Sequence, residues 1–184
     1  MEKNITFAST NQNKFLEVQS ILSTRNIPVD FSQIYLVEIQ SDSLEEIARE
    51  KAKTAFAKVG RQVIVEDDGL FIDNLGGFPG QYSSFVFQTI GNDGILKLLA
   101  GSANRSAYFW SLIAFYDGIT LSISEGTVYG SISCRMTEGS GWGFDPIFMP
   151  DGTGLTFAEL KKSKNEYSHR KRALDKFAQW YLML

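Results

Sequence analysis

The sequence predicts an α/β protein built on a mixed β-sheet with helices on its faces. Three observations carry that reading. Strand-length apolar runs alternate with stretches of helical period through the first hundred residues. A nearly continuous apolar run over 107–116 meets the turn Asp117-Gly118 and then an alternating run, the pattern of an antiparallel hairpin. The helical stretches carry start and stop signals, the sharpest being the capping box Ser43-Leu44-Glu45-Glu46 and the closing Gly60.

Taken in order, Ile5 to Ala8 reads as a strand, Ser9 to Asn13 as a polar turn, and Phe15, Val18, Ile21 and Leu22 as one face of a helix. The capping box opens a second helix in which Ile47, Ala48, Ala52, Ala55 and Phe56 recur at helical spacing. Gln62 to Val65 is a short buried strand that delivers Glu66, Asp67 and Asp68 at its C-terminal end, where open α/β sheets place ligands. Residues 92–100 form a short helix with Ile95, Leu96, Leu98 and Leu99, closed by Gly101. After the hairpin turn, Ile119, Leu121 and Ile123 alternate with Thr120, Ser122 and Ser124, and the series Val128, Ile132, Cys134 places the single cysteine in the core. A glycine-aromatic loop, Gly139 to Gly154, precedes a last helix from Ser168 that turns Ala173, Leu174, Phe177, Ala178 and Tyr181 to one side. No repeat, low-complexity tract or linker divides the chain, so the expectation is one domain over 1–184.

A chain of 184 residues with 43% hydrophobic and 21% charged content buries a core without staples. Its net charge of -3 gives no general attraction to nucleic acid or to an anionic membrane, so a phosphate-bearing partner has to be small and held by a local basic cluster. One cysteine makes no internal disulfide. Met1-Glu2-Lys3-Asn4 leads into a strand without the hydrophobic region of a signal peptide, and no apolar run reaches membrane-span length; the expected compartment is the cytoplasm.

Four constellations could carry chemistry. Glu66, Asp67 and Asp68 are three adjacent carboxylates, which suits either a divalent cation bound through oxygen or a solvated acidic turn. Ser9, Thr10, Asn11 and Lys14 surround a helix N-terminus, which makes either a phosphate cradle or a capped helix with Lys14 in solvent. Ser168-His169-Arg170-Lys171-Arg172 sets cations in a first helical turn, where each opposes the macrodipole by roughly 0.3–1 kcal/mol when exposed. With Lys161, Lys162 and Lys164 just upstream, this segment could gather triphosphate oxygens or hydrogen-bond a base, or be a solvated basic turn. In Gly141-Trp142-Gly143-Phe144-Asp145-Pro146, two rings could sandwich a nucleobase whose edge Asp145 reads, or both could be core. The lone His169 and the lack of a G-x-S-x-G elbow argue against a His-rich zinc site or a serine triad. Together these are the parts of a nucleoside triphosphate site.

The residues resemble the inosine triphosphate pyrophosphatase (Ham1-like) family over nearly the whole chain. The resemblance rests on Ser9-Thr10-Asn11 with Lys14, Glu66 to Leu70 with Leu75 to Ser83, Trp142 to Phe148, Thr156 to Leu160, and Ser168-His169-Arg170. It implies an elongated mixed sheet in two lobes with a central cleft, a homodimer, and magnesium-dependent cleavage of ITP, dITP or XTP between the α and β phosphates, with manganese as a substitute metal. It also implies roles. Glu38, Asp67 and Glu66 are the metal carboxylates, and Asp67 is also the proton acceptor, with Asp68 beside it as a second catalytic and substrate-contacting carboxylate. Ser9, Thr10, Asn11, Lys14 and Lys51 bind phosphates, and Trp142, Gly143, Phe144, Asp145, Lys164, Ser168, His169 and Arg170 hold the purine. Arg170, all donors, and the backbone amides near it would pair with the 6-carbonyl of hypoxanthine or xanthine and reject the amino group of adenine by about 1–3 kcal/mol.

Two residues depart from the family pattern. Asp68 stands where serine or threonine is common, leaving either aspartate as the base, and Ser84 stands where lysine or arginine is common. Two other readings fit the same residues: a Maf-like pyrophosphatase for other modified nucleotides, and a nucleotide sensor that binds without turnover.

Overall fold

The computed structural model describes residues 4–184; Met1, Glu2 and Lys3, part of the stretch read above for a leader, lie outside them. In chain order the elements are β1 (Ile5–Ala8), α1 (Gln12–Ser23), β2 (Val29–Ser32), α2 (Leu44–Val59), β3 (Val63–Ile72), β4 (Pro79–Gly80), α3 (Ser83–Thr89) and α4 (Gly91–Leu98). Then follow β5 (Ser106–Tyr116), β6 (Leu121–Ile132), β7 (Phe148–Pro150), α5 (Phe157–Leu160), α6 (Lys164–Tyr167) and α7 (His169–Tyr181). Among the described residues no helix is long and apolar enough to cross a membrane.

The strands form a mixed seven-stranded sheet in the order β2-β1-β3-β5-β6-β7, with β4 paired to β3 off this path. β1 runs parallel to both β2 and β3, as crossovers through α1 and α2 require. β4 and β7 are antiparallel to β3 and β6. Asp117 donates to Thr120 at one end of the β5–β6 hairpin and Ile132 to Arg105 at the other, the crossed-end pattern of an antiparallel pair.

The chain divides into two compact units, Met1–Asp67, Ser111–Gly126, Arg170–Leu184 and Asp68–Trp110, Thr127–His169. In the first, α1 turns Phe15, Val18, Ile21 and Leu22 onto Ile5, Phe7 and Ile64, and α7 adds Ala173, Leu174, Phe177 and Ala178 against Ile113 and Phe115. In the second, Leu70, Ile72, Phe109, Val128, Ile132, Phe148 and Phe157 form the core, with Val86, Ile95 and Leu99 packed from α3, α4 and the residue after α4. The chain passes from one unit to the other within two of the candidate motifs, at Asp67/Asp68 and at His169/Arg170.

Three expectations are corrected. β3 does not stop at Val65; it continues through Glu66, Asp67 and Asp68 to Ile72, with the first two buried. A central strand accepts carboxylates only when each has a partner, and here each does. The alternation after the hairpin turn is out of phase: the Asp117 carboxylate accepts from the Ile119 and Thr120 N–H groups, which draws Ile119 into the turn at 93% exposure. Buried β6 positions are instead Ser124, Gly126, Val128, Gly130 and Ile132. Cys134 is exposed rather than core, because β6 ends at Ile132 and the Ser133 N–H turns to the carbonyl of Ile147. At Gly69 the reason for glycine is close approach, since a Cβ there would lie 2.5 Å from the carbonyl oxygen of Gly80 on β4.

Candidate active site

In the first unit, β1 delivers the chain to the polar turn that starts α1. Asn11 is the N-cap, its Oδ1 accepting from the N–H groups of Asn13 and Lys14 at 3.0 and 3.2 Å. Ser9 Oγ accepts from the Asn11 N–H at 3.1 Å, and Thr10 is exposed. The capped-helix reading therefore describes Ser9 and Asn11, while Lys14 leans inward, with Nζ 3.8 Å from Glu66 Oε2.

Glu66, Arg170 and Glu17 form a buried charge network. The Glu66 carboxylate is fully enclosed; Oε1 accepts from Ser111 Oγ at 2.7 Å and Oε2 from Arg170 Nε at 2.8 Å. Arg170, 1% exposed, also donates to Glu17. Both oxygens of Glu66 are thus engaged by protein donors, and the Arg170 guanidinium answers two carboxylates. The cause is desolvation, because a carboxylate buried in mid-strand requires a cation. The same pairing explains the cations in the first turn of α7, where Lys171 in turn donates to Asp175.

Asp67 faces differently. It is 7% exposed; Oδ1 accepts from Lys51 Nζ at 2.8 Å, and Oδ2 is buried with no hydrogen-bond partner among the described residues. Lys51, on α2, also bonds the Glu66 carbonyl at 3.2 Å and the Glu38 carboxylate at 2.6 Å. Burial pushes the Asp67 carboxyl up to about 6, against the pull of the Lys51 charge, and Glu38 adds to the rise. Burial works against the Lys51 ammonium, but the Asp67 and Glu38 charges outweigh it and hold the group above the usual lysine range. Glu38 and Asp67, which are 29 positions apart in sequence, are thus gathered on one cation.

In the second unit, the loop 141–145 is built around Asp145, which is 4% exposed. Its Oδ2 accepts from the Trp142 N–H at 3.1 Å and from Lys164 Nζ at 2.8 Å. Gly141 has no side chain because a Cβ would sit 2.7 Å from that same oxygen. Lys164 Nζ lies 5.2 Å from the centroid of Trp142, which is half-buried. Phe144 is 5% exposed and meets Phe87 edge-on at 5.4 Å, so its ring belongs to the core and not to a two-ring sandwich. His169 stacks on Phe109 with centroids 4.5 Å apart, and its Nε2 is 3.5 Å from Asp68 Oδ2. Asp68 therefore faces the imidazole, and Ser168 is fully buried. Ser84 lies exposed on α3, where Gln88 donates to it.

Residues that sequence reasoning missed are Ser111, Glu17, Phe109 and Asn92. Ser111 had a signal, as the one serine inside the apolar run 107–116. Glu17 had none, being an ordinary polar position on a helix. Asn92, on α4, donates from Nδ2 to the carbonyl of Gly143 at 3.1 Å.

The description "Ham1 family" matches residues 5–180. The chain is 47% identical over 173 residues to a dITP/XTP pyrophosphatase of Saccharolobus solfataricus, covering 94% of this chain and 90% of that one. It is 46% identical over 179 residues to a dITP/XTP pyrophosphatase of Methanopyrus kandleri, covering 96% and 95%. Among solved structures, a HAM1 protein from Coxiella burnetii superposes with a TM-score of 0.84 at 27% identity, covering 98% of this chain and all of that one. The Staphylococcus aureus Ham1 protein gives 0.80 at 25% identity, with 97% and 98% covered. A match that spans nearly the whole chain in both sequence and fold leaves one conclusion: this protein belongs to the Ham1 family.

Proposed function

We propose that this protein hydrolyses non-standard purine nucleoside triphosphates (dITP, ITP and XTP) to the monophosphate and pyrophosphate with the help of magnesium or manganese. Relatives named dITP/XTP pyrophosphatase support the substrate class. The observation that carries the chemistry is Asp67, a carboxylate with one oxygen on Lys51, the other buried and unpartnered, and a pKa of about 6. Such a group is poised to take a proton near neutral pH.

Glu38 and Asp67 would hold the metal, because both offer hard oxygen donors, both are already drawn to one ammonium, and Asp67 Oδ2 lacks a partner. A divalent cation bound there supplies charge neutralisation to the phosphate oxygens. Water adds at the α-phosphorus, its proton passes to Asp67, and the bond from that phosphorus to the bridging oxygen of the β-phosphate breaks to release pyrophosphate. Lys51 and Lys14 offer ammonium groups, and Thr10 a hydroxyl, to phosphate oxygens. Glu66, fixed by Ser111 and Arg170, lies beside Lys14. In the second unit, Trp142 offers its ring face to the base, and Lys164 and Asp145 hold that loop. Asp68 would orient His169 against Phe109, and the base is assigned to Asp67.

The test is pyrophosphate release from dITP, ITP, XTP, ATP and GTP with magnesium, with a chelator as control. Metal-dependent release from the first three, with ATP and GTP poor, is the expected outcome. Tight binding of ITP without release would support a sensor in place of an enzyme.

A further inference from the structure

We propose that Asn92 is a specificity-determining positioning residue: its amide fixes the Gly143 carbonyl and so presents the Phe144 N–H as a hydrogen-bond donor to the 6-carbonyl of the purine. This rests on the reading that the loop 141–145 holds the base.

Three features of that loop lead to Asn92. Gly143 has φ of +63° and no side chain, and locally the peptide that follows it is spanned by a long turn bond, from the Asp145 N–H to the Trp142 carbonyl at 3.3 Å. Two side chains from α3 and α4 do fix it from outside: Phe87 meets the Phe144 ring edge-on, and Asn92 Nδ2 holds the Gly143 carbonyl at 3.1 Å across 51 positions of sequence. In a planar trans peptide the C=O and the next N–H point in opposite directions. A Gly143 carbonyl held toward α4 therefore aims the Phe144 N–H away from α4, and that N–H has no acceptor among the described residues.

The other half of the Asn92 amide says that stability is not the reason for it. Oδ1 is buried and has no partner among the described residues. Leaving a buried amide oxygen unsatisfied costs as much as or more than one neutral hydrogen bond returns, so leucine of similar size would serve packing at least as well. Turning the amide over would set Oδ1 against the Gly143 oxygen, acceptor to acceptor, so the donor assignment follows from chemistry. Fixing a donor is what discriminates bases here: hypoxanthine and xanthine offer a carbonyl to the Phe144 N–H, and adenine offers another donor.

The experiment compares wild type with Asn92→Leu and Asn92→Asp in pyrophosphate release from dITP, XTP and ATP, together with Tm. Both variants should raise KM for dITP and XTP about tenfold with kcat falling less than about threefold, and shrink the dITP/ATP preference about tenfold. Asn92→Leu should keep or raise Tm. Asn92→Asp retains the shape but turns an acceptor to the carbonyl, which separates the lost donor from lost volume. Wild-type KM and selectivity in Asn92→Leu, or a parallel fall of Tm and every kinetic parameter in both variants, overturns the role of Asn92 alone. A wild type that releases no pyrophosphate from dITP or XTP overturns the functional reading, and this inference with it.

Discussion

Asp67 makes the protein less stable as pH rises through the range in which it loses its proton. Its pKa is about 6 in the folded chain against 3.8 for an aspartate in open water, with burial as the leading cause. A raised folded pKa means that the native state binds the proton more tightly than the unfolded state does. The stabilisation is fully present below about pH 4 and is lost as pH rises through about 6. Two units at 1.36 kcal/mol each give about 3 kcal/mol, and at 7% exposure the group needs no discount for solvent. For a chain of this length that corresponds to a Tm change of about 6–12 °C. Lys51 and Asp175 do not mimic the effect in this window. The raised Lys51 keeps its proton throughout, and Asp175, held low by Lys171 and Arg25 in spite of its partial burial, loses stability only as pH falls. The assay is thermal unfolding from pH 4 to 7 in chelator, wild type against Asp67→Asn, which cannot titrate. The wild-type Tm should fall relative to the variant as pH rises; a constant difference, or one of opposite sign, would refute the reasoning.

Two further predictions follow the same electrostatics. Arg170→Met strands the enclosed Glu66 and Glu17, so it should destabilise by roughly 3–5 kcal/mol, a Tm loss of about 6–20 °C, and Glu66→Gln in the same chain should recover a large part. Additive losses in that double variant would remove Arg170 from the network. Lys51→Met leaves Glu38 and Asp67 facing each other without a cation, so magnesium should raise the Tm of the variant more than that of wild type, while turnover drops at least about tenfold. An equal magnesium response in both would mean that Lys51 and the metal do not share those carboxylates.

The fold was legible where one periodicity ruled and illegible where a polar contact overrode it. The strand Ile5–Ala8 and the apolar faces of α1, α2 and α7 stand as the sequence pattern has them, because burial of one face is what a helical or strand period encodes. β3 was cut short because three carboxylates look like the end of a strand, and their cations come from residues 14, 51 and 170, far away in sequence. Ile119 was misjudged because a single Asp117 side chain, accepting two backbone N–H groups, sets the turn and thereby the phase of everything after it.

The site shows the same limit more sharply, and its direction is informative. Charge at an unfavourable place, as in Ser168 to Arg172, signals that a partner exists without saying whether the partner is substrate or protein. For Arg170 the partner is Glu66, whose own burial is what made it conspicuous; two motifs that look like two ligand contacts prove to answer each other. Asp67 differs from Glu66 by one position and therefore by one face of β3. On its face the lysine satisfies one oxygen and leaves the second without a partner. A network that served stability alone would have closed on both oxygens, as it does at Glu66. The incomplete pairing is thus what supports Asp67 as the proposed reactive carboxylate, and the run Glu-Asp-Asp, in which all three look alike, carries no trace of it.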